Sequence, residues 1–292
     1  MSTTDCWAEW LATRRFGGDE ETRREVLARL GQTRDTVLDR ADLVDGDTLL
    51  DVGCGEGLIG FGALERGADV VFSDVSEPLL DLCRSTASSL GVADRCRFLR
   101  AAADALSPVE SETVDVVTTR SVLIYVSDKA AALREFFRVL RPGGRVSLYE
   151  PINSFAQRGA ENFGGYPVGP VAEEAAKVRA LFEALQPPVD PMLDFDERDL
   201  FRLSESAGFF PVDVNLHLEL VPQEARPWEA FANTAWNPRV PSLAEAMDQV
   251  LQPDEQERFR AHLQPLVESG AGTWRMGHAY LRATKPGESV RR

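Results

Sequence analysis

From Thr48 the chain alternates short apolar runs with amphipathic stretches. "TLLDV", "ADVVFSD", "CRFLRA", "VDVVTT" and "RVSLYE" are each closed by Gly or Asp and separated by helical patterns. This alternation predicts parallel strands joined by crossover helices, an α/β fold with a doubly wound, Rossmann-like sheet. Ahead of it, Val26, Leu27, Leu30, Val37 and Leu38 recur at three- and four-residue spacings, so residues 1 to about 45 read as helical. The punctuation agrees: Gly67 and Gly91 stand at helix C-caps, Ser76 and Ser127 at N-caps, and "RPGG" at 141–144 ends a helix that begins near Asp128.

After Pro151 the pattern loosens. Residues 153–170 are rich in Gly, Asn and Pro and precede a helix whose apolar face is Val171, Ala175, Val178, Leu181, Phe182 and Leu185. A helix over about 196–207 ends at Gly208. In the strand that follows, Val212, Val214, Leu216 and Leu218 share one face, and Asp213, Asn215, His217 and Glu219 the other. A second insertion, 221 to about 270, precedes a last strand, "RMGHAYLRAT", and "KPGESVRR" reads as a frayed tail. The expected organisation is one domain over 45–285, its core 45–151 and 196–285, with a mostly helical cap from 1–44, 152–195 and 221–270.

Composition narrows the function. A chain of 292 residues has room for one large domain and a cap. Its net charge of −15 repels phosphate backbones, so neither nucleic acid nor an anionic membrane is an expected partner. The apolar runs, "SVLIYV" at 121–126 among them, fall short of the roughly 20 residues a membrane span needs, and a basic-then-apolar leader is absent, so a cytoplasmic location is expected. Cys6, Cys54, Cys83 and Cys96 are scattered without metal-ligand spacing, so reduced thiols and no metal are expected. Monomer and homodimer stay open.

The chemistry is concentrated in "LLDVGCGEGLIGFGALERG", a buried strand running into a glycine-rich turn and a helix. Gly53, Gly55 and Gly57 let the backbone turn sharply and approach a ligand, and the helix offers its N–H groups and positive dipole end. Asp74, 19 residues after Gly55, closes the next strand where a carboxylate can accept from both hydroxyls of a ribose. A nucleoside cofactor follows, in two versions. Gly55-x-Gly57-x-x-Gly60 fits the dinucleotide fingerprint of a nicotinamide-dependent oxidoreductase. Against it, Asp51, two residues before Gly53, would repel a pyrophosphate but suits a cationic, zwitterionic ligand, and Asp104 in "AAADAL" is placed for an adenine amino group.

With these motifs and the block "FFRVLRPGGRVSLYE", the segment from about 48 to 151 resembles the class I S-adenosylmethionine-dependent methyltransferases. The likeness is to the branch holding ubiquinone and menaquinone C-methyltransferases and related small-molecule enzymes. It implies a seven-stranded sheet with an antiparallel last strand and the cofactor across the C-terminal strand ends. S-adenosylmethionine would be held by Asp51, Gly53, Gly55 and Gly57, by Asp74 and Val75 at the ribose, by Ala103 and Asp104 at the adenine, and by Arg120 and Ser121 at the methionine end. Cys54 occupies a variable position of the motif.

Methyl transfer to O, N or C of a small molecule needs proximity above all, with a base useful for a phenol or protonated amine. His217 on the polar face of its strand, Tyr125 after the fourth strand and Glu150 after the fifth are the candidate catalytic groups; His278 and His262 rank behind them. Each has a bland alternative: Tyr125 as core packing, Glu150 as a cap on backbone N–H groups, His217 as a solvated histidine. Asp115, at the opposite edge, reads as structural. Trp7, Trp10, Trp228, Trp236 and Trp274 all lie outside 11–227. With Phe155, Phe163, Tyr166 and Phe231 they suggest an apolar cap over an apolar or aromatic acceptor, contacted by Trp10, Trp228 and Trp236 and by Tyr125 and Asn153 at the strand ends, or simply rings gluing cap helices together. Residues 153–170 would serve as a lid. A fold member that binds the cofactor without transferring methyl is the remaining alternative.

Overall fold

A computed structural model describes residues 5–156 and 161–287. The chain separates into two compact units: a sheet unit of Arg29–Ser154, Pro191–His217 and Gly277–Arg292, and a helical unit of Met1–Ala28, Phe155–Asp190 and Leu218–Met276.

The apolar runs form β1 (Thr48–Val52), β2 (Asp69–Asp74), β3 (Cys96–Arg100), β4 (Val114–Arg120) and β5 (Leu140–Pro151). Two-residue strands β6 (Asn162–Phe163) and β7 (Tyr166–Pro167) pair as a hairpin, and β8 (Val212–Pro222) and β9 (Thr273–Thr284) follow. The sheet has seven strands in the order β3-β2-β1-β4-β5-β9-β8, parallel across the first five, with β9 antiparallel to β5. That is the doubly wound sheet the alternation predicts, with the reversed last strand the resemblance implies. Right-handed crossovers in such a sheet bring the C-terminal ends of β1, β2 and β4 to one edge, where ligands bind.

The helices are α1 (Cys6–Glu9), α2 (Glu20–Arg40), α3 (Leu58–Glu65), α4 (Glu77–Ser89), α5 (Lys129–Val139), α6 (Asn153–Ala156), α7 (Ala172–Ala184), α8 (Glu197–Ala207), α9 (Trp228–Asn233), α10 (Leu243–Val250) and α11 (Pro253–Glu268). Ser76 caps α4 by accepting from the Leu79 N–H, and Gly67 and Gly91 follow α3 and α4 at positive φ. Two expectations are corrected. Asp128, not Ser127, caps α5, its carboxylate accepting from the Ala131 N–H at 2.8 Å. The N-terminal helix is broken between α1 and α2, where Gly17 and Gly18 adopt φ of +58° and +78°. A Cβ on Gly17 would stand 2.1 Å from the Ala230 carbonyl oxygen, so the break lets two backbones touch inside the helical unit.

In the sheet unit, Val37, Leu38 and Ala41 of α2 pack with Ile59 and Ala63 of α3 and with Leu49, Val70 and Phe72 of the strands. The stretch 29–44, expected as cap, therefore belongs to the sheet. In the helical unit Phe163, Tyr166, Val178, Trp228, Phe231, Phe259 and Leu263 form a separate core. The apolar face expected of β8 is not buried: Leu216 and Leu218 are exposed, because β8 ends the sheet. The tail begins anchored, since buried Lys285 donates from Nζ to the Leu140 carbonyl at 2.7 Å; residues 288–292 lie outside the described residues. Among the described residues, no helix is long and apolar enough to cross a membrane, and no group of three or more His, Cys, Asp and Glu could hold a metal ion.

Candidate active site

β1 runs directly into the glycine turn, whose Gly53, Gly55 and Gly57 have φ of +63°, +55° and +83°. The left-handed region disfavours any side chain, and space forbids one here. A Cβ on Gly53 would lie 2.4 Å from Val122 Cγ2, and one on Gly57 2.4 Å from the Phe61 ring. Two carboxylates fasten the turn. Asp74, at the end of β2, accepts the Gly55 N–H at 2.9 Å on Oδ2 and the Ser76 N–H at 2.9 Å on Oδ1. Asp51 accepts the Gly60 N–H at 2.9 Å and the Thr118 hydroxyl at 3.2 Å. It is only 2% exposed, and burial pushes its carboxyl up to about 7 against those donors. The structure thus corrects the reason for Asp51: it ties α3 and β4 to β1 rather than standing open to a cationic ligand. Cys54 and Cys83, distant in sequence, both bring Sγ to the Gly55 carbonyl, at 3.8 and 3.4 Å, and their mutual contact with burial pushes the Cys54 thiol up.

A second clamp stands at the end of β4. Ser121 has φ of +56°, outside the ordinary range for a side-chain-bearing residue, and its N–H donates to the Tyr149 carbonyl at 2.9 Å. The next three N–H groups all point at Glu150. Val122 and Leu123 donate to Oε1 at 3.0 Å each, and Ile124 to Oε2 at 3.2 Å. Glu150 is fully buried at the end of β5, and burial pushes its carboxyl up to about 7 despite the three donors. The expectation of Glu150 as a catalytic group is corrected by this geometry: the carboxylate is wholly enclosed, out of reach of any ligand, and its three backbone bonds position the segment whose Val122 walls Gly53.

A profile described as a methyltransferase domain matches residues 50–148. The tRNA 5-carboxymethoxyuridine methyltransferase of Escherichia coli K12 is 35% identical over 100 residues, 34% of this chain and 38% of its own length. The ubiquinone biosynthesis O-methyltransferase of Pseudomonas fluorescens SBW25 is 32% identical over 135 residues, 46% of this chain and 57% of its own. Residues 50–148 form a class I S-adenosylmethionine-dependent methyltransferase domain. The chain spans between about 38% and 57% of the length of these two relatives. The fold reaches further: a geranyl diphosphate methyltransferase solved with its cofactor superposes with a TM-score of 0.52 over 92% of both chains at 20% identity. A [4+2]-cyclase, SpnF, superposes with a TM-score of 0.50 over 88% of this chain and 82% of its own at 21% identity. The Gly55 to Gly60 fingerprint therefore belongs to a methyltransferase domain, and the oxidoreductase reading is set aside.

The domain's residues fit the cofactor. The turn is bare of side chains where a Cβ would collide, a nearly buried carboxylate (Asp74, 6% exposed) stands beside it, and the following Val75 leaves an apolar side chain 44% exposed at the strand end. Ala102 and Ala105 bridge in a tight turn, the Ala105 N–H donating to the Ala102 carbonyl at 3.0 Å; Ala103 is buried inside it and Asp104 half-buried on it. Arg120 is half-buried at the end of β4, and burial lowers its pKa while the carboxylates of Asp51 and Glu150 oppose that shift. All ten cofactor candidates thus lie in the sheet unit.

The remaining candidates divide. Tyr125 closes the turn Leu123–Tyr125 and is half-buried, as is Asn153 at the start of α6. Exposed His217 stacks on His278, ring centroids 5.1 Å apart. Asp115 accepts the Thr48 N–H at 2.9 Å, as a structural residue would. The tryptophans belong to the helical unit. Trp228 is 4% exposed within its core, so its ring is packing, a correction to the expectation that it contacts acceptor. Trp10 donates its indole N–H to the Ala235 carbonyl at 2.7 Å. Trp236 is 44% exposed against Phe163 and Phe182. His262 contacts the Pro167 carbonyl at 2.9 Å. Of the expected lid, residues 157–160 lie outside the described residues. Sequence reasoning missed Thr118 and Val122: a hydroxyl-bearing residue in an apolar strand and a valine beside a glycine turn gain meaning only through strand pairing.

Proposed function

We propose that the protein transfers a methyl group from S-adenosylmethionine to O, N or C of a small apolar or aromatic acceptor. The observation that carries this reading is the side-chain-free glycine turn joined to Asp74 through the Gly55 N–H, beside the exposed Val75. When bound, the cofactor supplies an electrophilic methyl on a sulfonium. Asp74 would receive the ribose hydroxyls, Val75 and the turn carrying Asp104 the adenine, and Arg120 with Ser121 the methionine end. Because positive charge disappears during displacement, the protein's part is to hold the acceptor in line and dry, and Tyr125 and His217 are proposed to touch the acceptor or take its proton.

The relative acting on tRNA supports a second reading, a nucleic-acid acceptor. The net charge of −15 favours the small molecule, since phosphates would meet a repelling surface. A third reading is cofactor binding without transfer. Incubation with S-adenosylmethionine and either an aromatic small-molecule panel or total tRNA, read by mass spectrometry, separates all three. A methylated small molecule with equimolar S-adenosylhomocysteine is expected. Methylated tRNA alone supports the second reading, and tight cofactor binding with no demethylated product the third.

A further inference from the structure

At the β3 edge the two faces of the sheet are covered by different means. On one face α3 and α4 pack over Val70, Phe72 and Phe98. On the other, β3 returns to β4 through residues 101–113 with no helix between them. A loop covers less of a sheet than a helix does, and a cavity of about 210 Å³ remains there, lined by Val71, Arg97 and Leu99 from the strands and by Val109, Glu110 and Val114 from the return. The register puts the three strand residues on one face, since Val71 pairs with Arg97 and Ser73 with Leu99. At ~30 Å³ for each water the cavity has room for about seven, enough for an amino acid and too little for a nucleotide. Thr48, which begins β1, also borders it. The cavity therefore lies at the far end of β1 from the glycine turn, about 16 Å away at ~3.3 Å per residue.

The lining combines an apolar floor with one charge of each sign. Val71, Val109 and Val114 are buried beneath the opening, while Arg97 and Glu110 are exposed at it. Nearby arginines each close on a carboxylate: Arg95 on Asp69, Arg84 on Glu77 and Asp81, Arg141 on Asp115. Arg97 and Glu110 do not, either with each other or with any other described residue. A purely anionic ligand would meet Glu110, and a purely cationic one Arg97, with repulsion. A ligand carrying both charges satisfies both, its carboxylate on the guanidinium fork and its ammonium on the Glu110 carboxylate. An α-amino acid holds the two charges on one carbon and leaves its side chain to enter the apolar floor.

We propose that this cavity is a second ligand site, remote from the cofactor turn, that takes an aliphatic α-amino acid between Arg97 and Glu110. The assignment stands apart from the methyl-transfer reading. Its test is a titration of the full chain with L-leucine, 4-methylpentanoate and 3-methylbutylamine, following protein methyl signals by NMR. Leucine is expected to move the signals of Val71, Leu99, Val109 and Val114 saturably, with a Kd on the order of 1 mM. The carboxylate analogue lacks the ammonium and the amine lacks the carboxylate, so each should bind about tenfold more weakly, the scale of one charge-assisted hydrogen bond. Arg97→Gln should erase the preference for leucine over the amine, and Glu110→Gln the preference over the carboxylate. Both side chains are exposed, so each variant should keep the wild-type Tm. Unmoved methyl signals, either analogue binding as tightly as leucine, or leucine affinity unchanged in both variants would overturn the site.

Discussion

The two units are held together by different means. In the sheet unit the parts nearest the candidate site are fixed by buried carboxylates: Asp51, Asp74 and Glu150 are 2%, 6% and 0% exposed, and each accepts backbone N–H groups. In the helical unit the core is rings, with Tyr166 and Phe231 edge-on at 5.6 Å, Phe163 and Phe259 at 5.6 Å, and Trp228 beside Phe231 at 5.8 Å. Carboxylates that clamp a backbone define positions to a fraction of an ångström, which a site for in-line displacement requires. Ring packing fills volume and tolerates variation. The comparison teaches that a buried acid beside a glycine turn signals geometry, whereas a tryptophan outside the sheet signals only burial.

The largest effect that would break this contrast is in the helical unit. Trp228→Ala should lower stability by about 3–5 kcal/mol, the usual loss for a large buried ring, in urea or guanidinium unfolding. A change near zero would mean the ring is not core. In the sheet unit, Gly53→Ala meets both a left-handed φ and Val122, and about 2–5 kcal/mol of strain and overpacking should appear as weaker S-adenosylhomocysteine binding in calorimetry. Unchanged affinity would show that the turn is not the cradle.

Glu150→Gln sharpens the comparison further. The amide keeps one acceptor oxygen and turns an N–H₂ toward a backbone N–H, so about 1–3 kcal/mol of stability should be lost in denaturation. If Glu150 positions Val122, cofactor affinity should fall with it; if it were a catalytic base, turnover alone would fall. The smallest effect is in pH dependence. The folded carboxyls of Asp51 and Glu150 are raised from 3.8 and 4.5 to about 7 each, so the folded state binds these protons more tightly than the unfolded chain. Their contribution is complete below the unfolded values and is lost as pH rises through about 7. Stability of Glu150→Gln should therefore fall less steeply than wild type between those limits, and parallel curves would contradict the buried-acid assignment.

What was legible in the sequence follows the same division. Strand alternation, glycine spacing and the Asp residues at or just after strand ends are local patterns, and the doubly wound sheet and the glycine turn follow from them, while the reversed last strand came only with the family resemblance. Glu150 was visible at a strand end, but its partners are 26 to 28 residues away and are joined to it only by the pairing of β4 with β5. The stacking of His217 on His278 joins residues far apart in sequence for the same kind of reason. The break at Gly17 and Gly18 was hidden because helical periodicity continues on both sides of it. Trp228 could not be sorted into core or binding surface because a ring at helical spacing serves either.

The most direct test is titration calorimetry of S-adenosylhomocysteine and NAD⁺ against the wild type and Asp74→Ala. S-adenosylhomocysteine is expected to bind the wild type in the micromolar range, NAD⁺ not at all, and Asp74→Ala to weaken the former by about 1–3 kcal/mol, a tenfold loss or more. Binding of NAD⁺ alone, or an Asp74→Ala affinity equal to wild type, would contradict the assignment of the glycine turn and its carboxylate to an S-adenosylmethionine site.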